Sequence, residues 1–310
     1  MVDRTIPTQD PEESDARDAL DNVAGPSPLG LVAHRSLRHV GLLTGGGVLF
    51  AIVAIAAAGP WLFDLDPYGQ DLLARHKPPF WMAGSDPAHL LGTDHFGRDY
   101  LSRLIYGARI SLLIGLLVAA ISGVIGVTLG IVAGYFRGTV DAVIMFVITA
   151  RLATPIILVA LAVVAVYGSS LQTVILVLGF LLWDRYALVT RAATLQLREQ
   201  EFVTAARAAG FSQFRVLLFT ILPNIANPII VVATLEMAQA ILLEAALSFL
   251  GLGVEPPMPS WGLMVAEGKE YMLFDPWVIA VPGIALLVLV LSINLVGDGI
   301  RDVTAPEGQT

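Results

Sequence analysis

Three charged side chains, Arg151, Glu236 and Glu244, lie inside long apolar segments of the chain. A charge at the centre of a membrane span costs about 2.5–3.5 kcal/mol on insertion scales, so each of these groups must face protein or water rather than lipid. Two kinds of chemistry use such groups: passage of a solute or ion, and pairing that holds helices at a seam. At helical spacing Glu236, Ala240, Glu244 and Ser248 fall within one broad face. Arg151 stands four residues before Pro155, where pairing with a neighbouring helix is preferred to lining a path. The five histidines, at 34, 39, 76, 89 and 95, form no HExxH or other ligand set, and no serine lies in a GxSxG setting. No GxxxxGK followed by Ser or Thr is present to cradle a phosphate. The chain is therefore expected to carry no catalytic residue, metal site or cofactor of its own. If ATP drives it, another polypeptide binds the ATP.

The polar stretch 199–224, EQEFVTAARAAGFSQFRVLLFTILPN, is the longest charged piece within the hydrophobic part of the chain. Helix formers fill 199–209, and Glu199 and Glu201 stand at the start, where the helix dipole favours negative charge. Gly210 is suited to the left-handed conformation that ends a helix, and Phe211 follows as its apolar seal. Val203, Ala206, Arg207 and Gly210 share one side at helical spacing. Ala205, Ala206, Ala208 and Ala209 leave a slim surface that suits a partner's groove. Pro223 fits the first turn of a following helix, because the amide proton it lacks has no partner there.

The elements that must position these residues are membrane helices. The chain of 310 residues is 56% hydrophobic and 14% charged with a mean hydropathy of +0.75, which describes a polytopic membrane protein. Two lysines, at 77 and 269, give no basic surface for nucleic acid, and zero cysteines exclude disulfides and thiolate chemistry. Residues 1–37 read as an acidic, disordered tail, and 38–63 as a first span retained rather than cleaved. Residues 64–109 read as an outer loop ending in an interfacial helix, capped by Thr93 or Asp94, with Arg98, Asp99 and Arg103 near the headgroups. Five further spans follow within 110–298, at 110–136, 142–167, 171–190, 225–250 and 276–296, with a polar loop at 191–222 and a tail at 299–310. The pair Asp184–Arg185 is expected near the inner end of the fourth span. Ser122, Gly126, Gly130 and Gly134, spaced by four, make a ridge where another helix approaches closely. Prolines 256, 257 and 259 favour an irregular loop or re-entrant segment over 255–275. With both termini inside, inner flanks carry nine Lys/Arg (35, 38, 137, 185, 191, 198, 207, 215, 301) against six outside (75, 77, 98, 103, 109, 269), as the positive-inside rule requires.

Several strings carry a resemblance. Ala205-Ala206-x-x-x-Gly210, followed after ten residues by Ile221-Leu222-Pro223, is similar to the cytoplasmic EAA loop of ABC importer permeases. LGTDxxGRDxLSRLIYGARISL at 91–112, AILLEAALSFLGLGVEPPMPSWGLM at 240–264 and Gly297-Asp298-Gly299-Ile300-Arg301-Asp302 resemble the C-type subunit of the dipeptide, oligopeptide and nickel group. The resemblance covers roughly 85–305. It implies an all-α permease of the type I importer fold with six transmembrane helices, in the inner membrane of a prokaryote. It implies a B-type permease partner, two ATPase subunits holding ATP and magnesium, and an external solute-binding protein. The ATPase-coupling residues it points to are Glu201, Thr204, Ala205, Ala206, Arg207, Gly210, Phe211 and Phe214; Arg151, Glu236 and Glu244 are pathway or assembly candidates. Two departures stand out: Thr204 replaces the family's glutamate before the alanines, and Thr149 and Phe146 stand where an acid and a base are common. By the same resemblance the solute is a peptide first, then a nickel complex or glutathione. An ion-gradient-driven secondary carrier would use Arg151, Glu236 and Glu244 instead, though the sequence shows no inverted repeat or paired broken helices. A non-transporting scaffold or receptor is a third reading.

Overall fold

Within a bilayer the backbone's polar groups find no water, so each span must satisfy them internally as helix. The computed structural model describes residues 34–62 and 65–304, and among these the regular structure is helical, with one isolated bridge between Thr93 and Asp99. The helices are α1 (Val40–Leu62), α2 (Tyr100–Phe136), α3 (Gly138–Leu152), α4 (Ile156–Tyr167), α5 (Leu171–Leu181), α6 (Asp184–Leu197) and α7 (Glu201–Ala208). Then come α8 (Gln213–Val216), a π-helical turn (Leu217–Ile221), α9 (Leu222–Asn224), α10 (Ala226–Phe249), α11 (Trp261–Gly268) and α12 (Pro276–Thr304). Among the described residues five stretches are long and apolar enough to cross a membrane, or six if the bent pair α3–α4 is taken as one span. The expected tail at 1–37 lies outside the described residues up to 33, as does the chain after 304.

At 37 residues α2 is about 55 Å long, more than a bilayer's hydrocarbon, and it forms the spine of the fold. The small-residue ridge explains its main contact. A Cβ on Gly126 would meet the carbonyl of Trp183 at 2.2 Å, one on Gly130 the carbonyl of Ala187 at 2.5 Å, and one on Gly134 the carbonyl of Arg191 at 2.8 Å. α6 therefore lies along α2 at backbone distance, as small residues in a membrane helix permit. Tyr186 donates to the carbonyl of Ala119 at 3.1 Å, and Arg191 makes a two-pronged pair with Asp141 of α3 at 2.5 and 2.7 Å. α10 packs on α2 and on α12, and α1 lies against α2 and against α12, where Leu42 meets Gly299.

The structure corrects six sequence expectations. No interfacial helix separates the 65–99 segment from the second span: Asp99 caps α2 by accepting from the Ser102 N–H at 2.8 Å, and the helix runs on unbroken. Arg98 and Arg103, expected at the headgroups, are almost wholly buried. Their burial is supported by Asp94, which both contact at 2.6 and 2.5 Å, and by Glu267 of α11, at 3.3 Å from Arg98 and 2.7 Å from Arg103. Burial alone would raise the Asp94 carboxyl, but Arg103, Arg98 and two backbone N–H groups hold it below the usual carboxylate value. The third span is not continuous: Ala153-Thr154-Pro155 bends α3 from α4 by 83°. Nor is the fourth, which breaks at Leu182-Trp183, so that Asp184 and Arg185 begin α6 in the middle of the 171–197 stretch instead of at its inner end. Within 255–275, the three prolines precede Ser260, which caps α11 by accepting from the Leu263 N–H at 3.1 Å; they set its start and do not prevent it. The last helix also continues through Gly299 to Thr304.

If the α2–α6 contact organises the fold, Gly130→Val must force backbone apart. Inserting methyl groups into a packed seam costs about 1–3 kcal/mol or more. The expected outcome is a lower thermal midpoint and lower recovery of monodisperse protein in mild detergent; an unchanged midpoint would contradict the contact.

Candidate functional site

The longest polar excursion begins where α6 ends. Arg198 donates to the carbonyl of Tyr135 at 2.7 Å, satisfying a group in the last turn of α2, and Arg137 pairs with Glu199 at 3.3 Å. α7 then folds back on the α2 terminus. Val203 is fully buried and packs in a small core with Ile131, Tyr135, Val216, Ile221 and Ile225, while Ala206 packs against its edge. Arg207 lies over the Tyr135 ring at 4.7 Å. Of the residues that the spacing puts on one side, Val203 is buried, Ala206 is half-buried and Arg207 is held against Tyr135, while Gly210 is exposed.

The C-terminal end of α7 is closed by two hydrogen bonds. Gly210 has φ +79°, its N–H donates to the carbonyl of Arg207 at 3.0 Å, and the Phe211 N–H donates to the carbonyl of Ala206 at 3.2 Å. This is the glycine-terminated Schellman pattern. Phe211 contributes its backbone but leaves its ring exposed, with Arg215 stacked at 4.3 Å. The opposite face of α7 shows Glu201, Phe202, Thr204, Ala205 and Ala208, and Phe214 and Phe219 continue the exposed apolar surface. Thr204 bonds back to the carbonyl of Gln200 at 3.3 Å, so the hydroxyl serves its own helix. Phe202 and Phe219, both exposed, were not singled out by sequence.

The intramembrane charges separate into two places. Arg151 and Glu236 meet with Asp184 and Arg185 around a cavity of about 280 Å³, also lined by Thr154 and Gln239. Arg151 donates through Nε to the carbonyl of Leu181 at 2.7 Å and through Nη2 to the same oxygen, with Asp184 3.7 Å away. It thus satisfies the broken end of α5, a partner that sequence spacing cannot reveal because it lies 30 residues away in the chain. Glu236 is almost wholly buried and pairs with Arg185 at 3.2 Å.

Glu244 lies elsewhere. Its Oε1 accepts from Ser248 and Ser260, each at 2.8 Å, and its carboxylate lies so close to Gly262 that a Cβ there would meet Oε2 at 2.8 Å. Ser260 caps α11, and the next residue donates from its N–H to Ser111 at 3.2 Å and from its indole to the carbonyl of Leu104 at 2.8 Å. Glu244 consequently ties α10 to α11 at the place where α11 locks onto α2.

Residues 126–307 match the family described as binding-protein-dependent transport system inner membrane component, and 27–79 match the N-terminal TM domain of oligopeptide transport permease C. The dipeptide transport system permease protein DppC of Escherichia coli K12 is 43% identical over 281 residues, covering 91% of this chain and 94% of its own. The di/tripeptide transport system permease protein DppC of Pseudomonas aeruginosa is 42% identical over 284 residues, covering 91% and 93%. The inward-facing MetNI methionine ABC transporter matches in fold, with TM-score 0.56 and 19% identity over 66% of this chain and 98% of that one.

Glu244→Ala strands two buried hydroxyls and removes the α10–α11 tie. Leaving buried polar groups unpaired costs about 1–3 kcal/mol each. The expected result is a sharp loss of assembled protein in membranes; normal assembly with lost uptake would instead place Glu244 on the pathway.

Proposed function

The chain belongs to the family of binding-protein-dependent transport system inner membrane components, and from this membership we propose that it forms half of the pathway of an ATP-driven peptide importer. It is a multi-pass membrane permease, not itself catalytic. Its relatives' names supply the solute class: a dipeptide or tripeptide. The proposed complex contains a B-type permease, two ATPase subunits using ATP and magnesium, and an external solute-binding protein. It sits in the inner membrane with both termini and α7 on the cytoplasmic side.

The observation that carries the reading is the construction of α7. One face is fixed by buried Val203 to the end of α2, and the other offers small and aromatic groups to a partner. Such a helix suits docking on an ATPase and transmission of its movement. Glu201, Thr204, Ala205, Phe211 and Phe214 would meet the ATPase, Ala206 and Arg207 would join the helix to its base, and Gly210 would fix its end. α6 connects this end of the molecule to the membrane interior over 14 residues, about 21 Å. ATP must favour one arrangement of these helices over another for its energy to reach the pathway.

The secondary-carrier reading gains something from the break in the third span, since discontinuous helices are common in carriers. Family membership favours the importer. Uptake with the ion gradient collapsed and ATP maintained separates the two: the importer continues, whereas loss of uptake under these conditions would favour a carrier.

Gly210→Val tests the role of the helix end. No atom lies within 4 Å of the added Cβ, so the cost is backbone strain at positive φ, about 1–2 kcal/mol. That is enough to loosen one helix end and too little to unfold the membrane core. The expected outcome is normal insertion and assembly with several-fold lower uptake, largely retained by Gly210→Asn, which tolerates this conformation better. Wild-type uptake in Gly210→Val would contradict the assignment.

A further inference from the structure

Glu236 presents a carboxylate that the protein only half uses. Its side chain is 1% exposed; Oε1 pairs with Arg185, whereas Oε2 is buried with no hydrogen-bond partner among the described residues. A buried, unpartnered carboxylate oxygen is costly, and native structures retain few of them without a use. Glu236 is one of the residues that line the cavity of about 280 Å³, many times the space of one water.

The cavity's depth follows from the helices that make it. Glu236 is the eleventh of the 24 residues of α10, and the Leu182-Trp183 break falls near the middle of the 27-residue stretch 171–197. Both place it about halfway through the apolar layer. Its walls are the two broken spans, because Leu152, Thr154 and Ile156 come from the α3–α4 bend and Leu182, Asp184 and Arg185 from the α5–α6 break. The two arginines are not equivalent. Arg151 is committed to the carbonyl of Leu181, while Arg185 is half exposed and uses one nitrogen on Glu236. Glu236 and Arg185 thus set opposite charges side by side in low dielectric, with one carboxylate oxygen unpaired and guanidinium donors left over.

A solute that carries both an ammonium and a carboxylate complements this arrangement. We propose that the cavity is a transient binding site for a zwitterionic peptide crossing the membrane, its α-ammonium donating to Glu236 Oε2 and its α-carboxylate received by Arg185. The site rests on the importer reading and adds to it a solute contact within this subunit. Charge-assisted hydrogen bonds of this kind replace hydration that the peptide loses in the apolar layer. The site's link to α6, which begins at Asp184 and ends beside α7, places its occupancy on the same rod as the ATPase-facing helix.

The test uses the complete transporter, with both permeases, both ATPases and the binding protein, in proteoliposomes supplied with ATP. The probes are radiolabelled alanyl-alanine for uptake and a dipeptide of alanine and photo-leucine for crosslinking under vanadate trapping. Photo-adducts on 182–185 or 236–239 of this chain are expected in the unmutated complex; adducts confined to other positions would overturn the site. Glu236→Gln should lower the initial uptake rate at saturating loaded binding protein by about tenfold, equivalent to about 1.4 kcal/mol. The exchanged pair Arg185→Glu with Glu236→Arg distinguishes a ligand site from a structural ion pair. It should leave uptake impaired, and recovery to the unmutated rate would assign the pair to helix packing and end the proposal. Failure of the unmutated transporter to move alanyl-alanine under ATP would overturn the peptide reading beneath it.

Discussion

The close approach of α2 and α6 is the constraint on which the other features depend. Three glycines at a spacing of four let backbone carbonyls of α6 come within 2.2–2.8 Å of where side chains would otherwise begin. Dispersion contacts are short-ranged, and in lipid they are not supplemented by a hydrophobic drive between helices. Bulk at any of these positions therefore removes much of what joins the two helices. Both places of interest hang from this seam. The start of α6 contributes Asp184 and Arg185 to the mid-membrane cavity, and its end delivers Arg198 to the last turn of α2 and the chain to α7.

A second constraint is the accounting of polar groups at the breaks. Interrupting a membrane helix exposes carbonyls that lipid cannot satisfy, so broken spans persist only where protein supplies partners. Arg151 does so at the end of α5. At the opposite end of α2 the buried group of Asp94, Arg98, Arg103 and Glu267 has equal numbers of both charges and joins the segment before α2 to α11. Removing one member of such a group costs more than the group contributes, because the charge left behind is uncompensated. The arrangement thus specifies where the 65–99 segment sits more than it adds stability.

Much of this was legible in the sequence where the signal is local. Hydropathy located the spans, the four-residue spacing marked the seam, and Gly210 followed by Phe211 marked the end of α7. The features that escaped depend on residues distant in sequence. The 83° bend after Leu152 and the break at Leu182 fall beside Arg151 with Pro155 and beside Asp184–Arg185, charges and a proline that marked the places without showing that the helices stop there. Arg98 and Arg103 looked interfacial because their partner Glu267 lies more than 160 residues away. The prolines before Ser260 suggested irregular chain, yet they stand just outside the helix they precede. Phe202 and Phe219 became notable only once folding had left their rings exposed.

The central claim is that α7 engages the ATPase, and the lack of native cysteine allows it to be tested directly. Single cysteines placed through 201–214, each carrying a photoreactive group, would be activated in active complexes in native membranes and the captured proteins identified. The account predicts capture of an ATPase subunit from the exposed positions, Glu201, Thr204, Ala205 and Ala208, with a minimum at buried Val203. Efficient labelling of the exposed positions with no ATPase captured in transporting complexes would contradict it.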